Sequence, residues 1–267
     1  MTIQHLAEQI QLKKTYLCVG LDTEFSKIPK HLQHHKNAIV NFNKAIIDAT
    51  LPYCVSYKIN TAFYEVLGSK GWDIMQETFD YIPKTHFKIA DAKRGDIGNT
   101  SNQYAKAFFE TLNADAITVA PYMGEDSIAP FLAYENKTTI VLALTSNKGA
   151  NDFEMLTNSG KYLYETVIEK VASWGSEHNL MFVVGATQTE QLQHIRSIIP
   201  NHFLLVPGVG FQGGSLAEVS KFGLTNNKSG ILINASRAII YASEGENFAT
   251  EAAVIAQQYV TEMQAYL

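Results

Sequence analysis

The chain has 267 residues, 46% of them hydrophobic, and carries a formal net charge of −5 at pH 7. At this length a single α/β barrel domain, typically about 250 residues, can bury a full core. The acidic balance and the absence of any lysine or arginine run exclude the electrostatic pattern of a nucleic-acid-binding protein.

Targeting and membrane signals do not appear in the sequence. The first residues are polar and amphipathic and lack the apolar segment of a secretory signal peptide. The longest apolar runs, such as residues 140–144, fall far short of the roughly 20 residues that a membrane span needs. Cys18 and Cys54 lie in apolar segments without metal-binding spacing, which indicates buried thiols in a reducing compartment. We therefore predict a soluble cytoplasmic protein with no membrane partner.

Short β-prone runs alternate with stretches of helical periodicity along the chain. The predicted strands cover residues 16–21, 53–59, 86–90, 116–119, 138–144, 180–184, 203–206 and 230–233. The helical stretches between them include residues 36–49, 99–112, 161–177 and 188–198. Eight β/α units over this length predict a (β/α)₈ TIM barrel.

The strand runs also indicate how the sheet is covered. Several of them, such as residues 139–144, are continuously apolar, as expected for parallel strands buried on both faces. A doubly wound open sheet is the structural alternative, although eight roughly even units favour closure. No linker rich in Pro, Gly or Ser divides the sequence, so we predict one α/β catalytic domain over residues 1–267. A barrel of this kind keeps its catalytic groups at the carboxyl ends of its strands.

The densest group of charges follows the third predicted strand. Asp91 and Lys93 are two residues apart at its end, so both side chains are expected on the same side, and Asp96 follows on the loop. A surface loop held by salt bridges is the alternative interpretation. Four charges in six residues directly after an apolar strand are unusual, however, and they stand where a barrel has its chemistry.

Two further charged residues end strands in the same manner. Lys58 closes the second strand, which favours a position in the barrel mouth over the alternative of a snorkelling surface lysine. Asp22 ends the first strand, where a helix cap or a turn former is the alternative.

A glycine-rich segment, residues 207–214, follows the seventh strand, and Arg237 follows the eighth. Loops after strands seven and eight form the usual phosphate site of such barrels, because glycines let backbone N–H groups approach the oxygens. Arg237 is one of only three arginines in the chain, and its guanidinium can bind two phosphate oxygens at once. The two segments together predict a phosphate group on the ligand.

Together these residues resemble the orotidine 5′-phosphate decarboxylase family, in the form of its longer bacterial members. Lys58 and residues 91–97, Asp-Ala-Lys-Arg-Gly-Asp-Ile, are similar to the Lys…Asp-x-Lys-x-x-Asp signature of that family. Other matching segments occur in the expected order at residues 19–22, 58–63, 145–147, 207–212 and 236–241. The chain departs from the family at Thr23 and Lys148, where proline is frequent, and both departures concern the stiffness of loops.

The resemblance implies an enzyme, a carboxy-lyase that converts orotidine 5′-monophosphate to UMP and carbon dioxide in de novo pyrimidine biosynthesis. It implies a reaction without cofactor or metal, and the sequence has no HExxH or similar ligand spacing. Lys58, Asp91, Lys93 and Asp96 would form the catalytic network. Electrostatic stabilisation of a carbanion at C6 would drive the departure of carbon dioxide, and Lys93 would protonate C6.

The resemblance also assigns substrate-binding roles. Asp22 and Lys58 would hold the ribose hydroxyls, and Ser146 would read the pyrimidine ring. Gln212 and Arg237 would bind the phosphate on a closing loop.

The expected assembly is a homodimer with shared active sites. By resemblance, Asp96 and Thr100 would be contributed across the interface to the other subunit's site. Asp96 lies on a loop that leads into the helix predicted from residue 99, so it need not turn back toward its own Lys93.

Three other functions remain as alternatives. Relatives with the same Asp-x-Lys-x-x-Asp core, such as 3-keto-gulonate-phosphate decarboxylases and hexulose-phosphate synthases, use Mg²⁺ and normally carry acidic ligands instead of the Lys58 arrangement. A Schiff-base aldolase would use Lys58 or Lys93 as its nucleophile. A catalytically silent nucleotide-binding barrel would not need alternating buried charges, which cost free energy to desolvate.

Overall fold

A computed structural model describes residues 1–210 and 213–267, and at the centre of this part of the chain is a closed barrel of parallel strands. Its eight strands are β1 (Leu17–Gly20), β2 (Ser56–Asn60), β3 (Phe87–Arg94), β4 (Ala116–Val119), β5 (Thr138–Leu144), β6 (Leu180–Val184), β7 (Phe203–Pro207) and β8 (Ile231–Ala235). Neighbours in the chain pair with each other, and β1 pairs with both β2 and β8, which closes the ring. The predicted (β/α)₈ barrel is confirmed, and the doubly wound alternative is wrong.

Helices surround this barrel. They are α1 (Ile3–Lys13), α2 (Lys30–Gln33), α3 (Ala38–Thr50), α4 (Ala62–Glu65), α5 (Ser69–Tyr81), α6 (Gly98–Lys106), α7 (Glu125–Leu132), α8 (Leu163–Ala172), α9 (Thr189–Ile198), α10 (Leu216–Gly223), α11 (Arg237–Ile240) and α12 (Phe248–Met263). A π-helical turn, Ala107–Thr111, extends α6, and a short hairpin of Thr157–Asn158 and Lys161–Tyr162 precedes α8. Among the described residues, none of the helices combines the length and apolar character needed to cross a bilayer.

The core lies inside the barrel and between the barrel and its helices. Strand side chains on both faces are buried, and β1, β4, β6 and β8 contain only buried residues. This double burial explains the continuous apolar runs in the sequence. Cys18 in β1 and Cys54 just before β2 are buried free thiols, as predicted.

Most predicted element boundaries agree with the structure within a few residues, and two differences are informative. Strand β3 does not stop at residue 90 but continues to Arg94, so that it includes the charged cluster of Asp91, Lys93 and Arg94. It does so because its pairing with β4 resumes after a register shift. The helix predicted over residues 161–177 covers only Leu163–Ala172, because residues 161–162 belong to the short hairpin. The longer strand depends on a pairing partner distant in sequence, which periodicity does not contain, whereas the hairpin is a local turn that interrupts the helical pattern.

Helix α1 packs at the amino-terminal end of the barrel, away from the charged cluster. Its buried residues, Ile3, Leu6 and Ile10, follow the three- and four-residue spacing of one helix face. Its last residue, Lys13, donates hydrogen bonds to the Leu51 and Cys54 carbonyls just before β2 and lies 2.8 Å from Nε2 of His86, which precedes β3.

The imidazole of His86 is buried and lies between hydrogen-bonding groups. Its Nε2 lies 2.8 Å from the Lys13 ammonium and 3.1 Å from the Leu51 carbonyl, and its Nδ1 lies 3.1 Å from the Thr85 hydroxyl. Burial and the neighbouring Lys13 charge lower the pKa of His86 to about 4. In an unfolded chain the pKa of histidine is about 6.5.

We predict that His86 makes the folded state sensitive to acid. Because its pKa is depressed on folding, its contribution is complete above about pH 6.5 and is lost as pH falls through about 4, by up to about 3 kcal/mol. Glutamine keeps an acceptor for Lys13 but does not titrate, so His86→Gln should flatten the unfolding free energy between pH 6.5 and 4, measured by urea titration. The exposed His178 supplies the control, since His178→Gln should keep the wild-type pH dependence. Equal slopes for wild type and His86→Gln would contradict the assignment.

Candidate active site

Four charged side chains form an alternating chain at the carboxyl end of the barrel. Lys58, near the end of β2, donates to Oδ1 of Asp22 at 3.3 Å and to Oδ2 of Asp91 at 3.0 Å. Lys93 donates to Oδ1 of Asp91 at 2.7 Å. Asp22 lies two residues after the end of β1, and Asp91 and Lys93 belong to β3. The order along the network is therefore Asp22, Lys58, Asp91, Lys93, with the charge changing sign at each step.

Burial and neighbouring charges shift the pKa values of Lys58 and Asp91 in opposite directions. The side chains of Lys58 and Asp91 are only 5% and 10% exposed, whereas that of Lys93 is 50% exposed. Burial by itself lowers the pKa of Lys58, but the Asp22 and Asp91 carboxylates outweigh it and keep that pKa above its usual value. Burial raises the pKa of Asp91, but the Lys58 and Lys93 ammonium groups outweigh it and hold that pKa well below its usual value. Both buried groups are thus charged at neutral pH.

The loop after β1 is fixed by buried hydrogen bonds. The Tyr241 hydroxyl donates to the Asp22 carbonyl at 3.1 Å and accepts from the Glu24 backbone N–H at 2.8 Å. Thr23, at the position where proline is frequent, is buried and donates to Oδ1 of the buried Asn43 at 2.7 Å. A side-chain hydrogen bond therefore restrains this loop where a proline ring would otherwise do so.

These charged groups open into a cavity of about 330 Å³ at the carboxyl end of the strands. Six of the predicted site residues line it: Asp22, Lys58, Asp91, Lys93, Ser146 and Arg237. Apolar side chains of the barrel strands, Leu142, Val183 and Leu205, form part of the same wall. Within the described part of the chain, no group of three or more His, Cys, Asp or Glu side chains is arranged to hold a metal ion.

Ser146 lies on a turn after β5 that a carboxylate holds in place. Glu154 accepts from the Thr145 backbone N–H at 2.7 Å and from the Thr145 hydroxyl at 2.9 Å. Gln188 donates to the Thr145 carbonyl at 3.2 Å. Lys148, the second departure from the family pattern, begins a 3₁₀ turn, Lys148–Asp152. Glu154 was not found from the sequence, because nothing local links it to Thr145.

The loops after β7 and β8 also line the cavity. Gly208 and Gly210 have φ angles of +96° and +78°, a left-handed conformation that favours glycine. The N–H of Gly210 donates to the Gly214 carbonyl at 2.9 Å. Arg237 begins the short helix α11 directly after β8 and lines the cavity. Gln212 lies outside the described residues.

Asp96 and Thr100 lie apart from this cavity. In residues 1–210 and 213–267, no ion pair within 4.0 Å joins Asp96 to Lys93, and neither Asp96 nor Thr100 lines the cavity. Oδ1 of Asp96 instead accepts from the N–H of Ile97 at 2.8 Å, and the Ser101 hydroxyl donates to the Asp96 carbonyl at 2.6 Å. One chain by itself therefore brings together three of the four predicted catalytic residues.

Comparison with known sequences identifies relatives that match nearly the whole chain. The family described as "Orotidine 5'-phosphate decarboxylase / HUMPS family" matches residues 15–252. An orotidine 5′-phosphate decarboxylase of Phocaeicola vulgatus is 56% identical over 99% of this chain and 98% of its own length. One of Flavobacterium johnsoniae is 58% identical over 98% of this chain and 97% of its own length. The expected enzyme class, a carboxy-lyase, is confirmed by these relatives.

Solved structures agree with the sequence comparison. The structure of Leishmania donovani OMP decarboxylase has a TM-score of 0.85 and 36% identity, and each chain covers 100% of the other. Leishmania donovani UMP synthase has a TM-score of 0.88 and 38% identity, with 100% of this chain matched to 56% of that one. Both the sequence and the fold thus show that the chain belongs to the orotidine 5′-phosphate decarboxylase / HUMPS family.

Proposed function

We propose that this enzyme converts orotidine 5′-monophosphate to UMP and carbon dioxide in pyrimidine biosynthesis. The observation that carries the proposal is the buried alternating network of Asp22, Lys58, Asp91 and Lys93 in the wall of the cavity. Its residues and their spacing resemble the signature of this family, and the matched relatives are named as this decarboxylase. We further propose that residues 1–267 act as one catalytic domain, located in the cytoplasm, with neither nucleic acid nor membrane as a partner.

The proposed chemistry is electrostatic and needs no cofactor. Loss of carbon dioxide leaves a carbanion at C6, and an ammonium fixed beside C6 attracts that localised charge more strongly than the delocalised charge of the carboxylate. Interactions that strengthen on the way to the transition state are the ones that lower the barrier. The ammonium of Lys93, held 2.7 Å from Asp91, has this role.

Lys58 and Lys93 differ in exposure, which supports different roles for them. The Lys58 ammonium is buried between two carboxylates and has a raised pKa, so it is a poor proton donor and acts as a counterion. The Lys93 side chain is half exposed and contacts one carboxylate. Lys93 is therefore the group that protonates C6.

The charge of Asp91 contributes a smaller share. Beside the substrate carboxylate it would repel that group until carbon dioxide leaves. Two unit charges about 4 Å apart interact by roughly 4 kcal/mol at an effective dielectric constant near 20. Large enzymic accelerations correspond to about 20 kcal/mol. Electrostatic stabilisation and closure around the phosphate must therefore supply most of the rate enhancement.

Substrate binding follows the arrangement of the cavity wall. Asp22 and Lys58 on one side would hold the ribose hydroxyls, and Ser146 on its braced turn would read the pyrimidine ring. Arg237 and the glycine loop after β7 would bind the phosphate, with Gln212 from the same loop.

A homodimer would complete the site. Asp96 has no ion pair with its own Lys93 among the described residues, and Ile97 beside it is 56% exposed. Tyr122 and Met123, which follow the neighbouring strand β4, are also exposed, at 86% and 49%. We propose that this apolar rim packs against a second copy and that Asp96 and Thr100 enter the partner's site.

A direct assay tests the reaction and the role of Lys93 together. Wild-type protein in EDTA-containing buffer should consume orotidine 5′-monophosphate, followed by its absorbance, whereas the Mg²⁺-dependent sugar-phosphate relatives would not. Lys93→Ala should lower kcat by at least about a hundredfold while the fold survives, because the proton donor is lost. Lys161, with a side chain 55% exposed, gives the matched control, and Lys161→Ala should keep full activity. Activity of Lys93→Ala within about tenfold of wild type would remove Lys93 from the mechanism.

The phosphate site can be tested separately from the chemistry. Arg237→Ala should lower kcat/KM for the nucleotide by the equivalent of about 2–3 kcal/mol, because a charge-assisted contact is lost. The slow reaction of the phosphate-free nucleoside should hardly change. Equal losses on both substrates would mean that Arg237 supports the fold or the ring site.

The shared site predicts complementation between inactive variants. Lys93→Ala and Asp96→Ala homodimers should each be nearly inactive. After random exchange of equal amounts, about half the dimers are mixed, and each mixed dimer has one site with both groups intact and one with neither. About a quarter of wild-type activity should therefore return. No recovery despite demonstrated exchange would contradict a site built from two chains with independent activity.

A further inference from the structure

Lys93 has an unusual backbone conformation for a residue in a strand. Its φ angle is +46°, in the left-handed region that side chains other than glycine rarely adopt. The other non-glycine residues with positive φ in the described ranges lie in turns or loops: Lys14, Asn113, Asn136, Ser159 and Lys228. Such a conformation costs about 1–2 kcal/mol and persists only where neighbouring contacts impose it.

The conformation of Lys93 coincides with an irregularity in the barrel ladder. Ala90 of β3 pairs with Ile117 of β4, and the next pair is Arg94 with Val119. Three residues of β3, Asp91 to Lys93, therefore stand opposite the single residue Thr118. A bulge of this kind redirects side chains and is common beside active sites.

The Thr118 hydroxyl bridges the two ends of this bulge. Its oxygen accepts a hydrogen bond from the Lys93 backbone N–H at 2.9 Å, and its proton goes to Oδ1 of Asp91, also at 2.9 Å. The same Oδ1 accepts from the Lys93 ammonium at 2.7 Å. One hydroxyl thus ties the backbone of Lys93 to the carboxylate that its own side chain contacts.

Thr118 occupies a position from which it acts only through these neighbours. Thr118 is 1% exposed, so a substrate in the cavity cannot reach its side chain. A buried hydroxyl that donates to an ionised carboxylate forms a strong hydrogen bond. Removing the hydroxyl would leave the partly buried Lys93 N–H without this acceptor, which costs free energy unless the backbone moves.

We propose that Thr118 is a positioning residue for the decarboxylation: its hydroxyl holds Lys93 in the left-handed conformation and thereby sets the place of the Lys93 ammonium. The proposal rests on the proposed function for its kinetic consequence. Its structural part, the dependence of the Lys93 backbone on the Thr118 hydroxyl, is independent of the substrate.

Thr118→Val removes the hydroxyl at nearly constant volume, and Thr118→Ser keeps it. Thr139 in β5 supplies the matched control, because it is fully buried and its hydroxyl has no hydrogen-bond partner in the described part of the chain. Thr139→Val therefore makes the same substitution in the same barrel without breaking a contact. The measurements are kcat and KM for orotidine 5′-monophosphate and hydrogen exchange at the Lys93 amide.

Thr118→Val should lower kcat by about ten- to a hundredfold, since a misplacement of about 1 Å can cost a hundredfold, with KM within about threefold. Exchange at the Lys93 amide should become faster. Thr118→Ser should restore kcat to within about threefold, and Thr139→Val should match wild type in every measurement. Thr118→Ala serves the same purpose if the valine variant does not fold.

Several results would overturn the proposal. One is a kcat of Thr118→Val equal to that of Thr139→Val. Another is a fold increase in KM as large as the fold decrease in kcat. A third is a Thr118→Ser variant as slow as Thr118→Val. Failure of both the valine and alanine variants to fold would also overturn it, because the hydroxyl would then serve the whole fold. If the wild type does not consume the nucleotide, the proposed function fails, and unchanged Lys93 amide exchange would still refute the role of Thr118 separately.

Discussion

The arrangement of the site depends on the Asp91 carboxylate, which accepts from two ammonium groups and one hydroxyl. A carboxylate this buried would protonate if it stood alone, but contact with Lys58 and Lys93 keeps it charged. Removing one member of a buried ion pair typically costs about 3–5 kcal/mol, because a charge is left uncompensated. The buried pair of Lys58 and Asp91 therefore depends on both partners being present, and the fold has to bring them together.

A closed parallel barrel meets this requirement by its register. Gly20 is paired with Lys58, and Asn60 with Asp91, so the ends of β1, β2 and β3 lie side by side. Gly20 is needed for close approach, since a Cβ there would lie 1.8 Å from Oγ of Ser236 after β8. The strands fix the inner ends of the charged side chains, while buried hydrogen bonds restrain the loops that follow. The groups are thus ordered before any ligand binds, which is what electrostatic catalysis requires.

Features that depend on local burial can be predicted from the sequence, whereas contacts between residues apart in the chain cannot. Continuous apolar runs predict the strands, because burial on both faces leaves a local trace, and a lysine closing such a run predicts the position of Lys58. The bulge in β3 leaves no such trace, since it exists only against Thr118, twenty-five positions after Lys93. The contacts of Thr23 with Asn43 and of Thr145 with Glu154 join residues twenty and nine positions apart, and no local pattern indicates them either. In the proposed dimer, the place of Asp96 depends on a second chain, which no pattern within one chain can supply.

The unequal exposure of the two lysines links substrate binding to the proposed chemistry. Lys58 is buried between two carboxylates, whereas Lys93 faces the cavity and loses water when the cavity is filled. Coulombic interactions strengthen as water leaves, because the effective dielectric constant falls. Binding energy gained at the remote phosphate can thus be converted into a stronger interaction between Lys93 and the charge developing at C6. A strained and tightly held Lys93 backbone suits this role. A mobile ammonium would not keep the short distance to C6 on which its interaction with the developing charge depends.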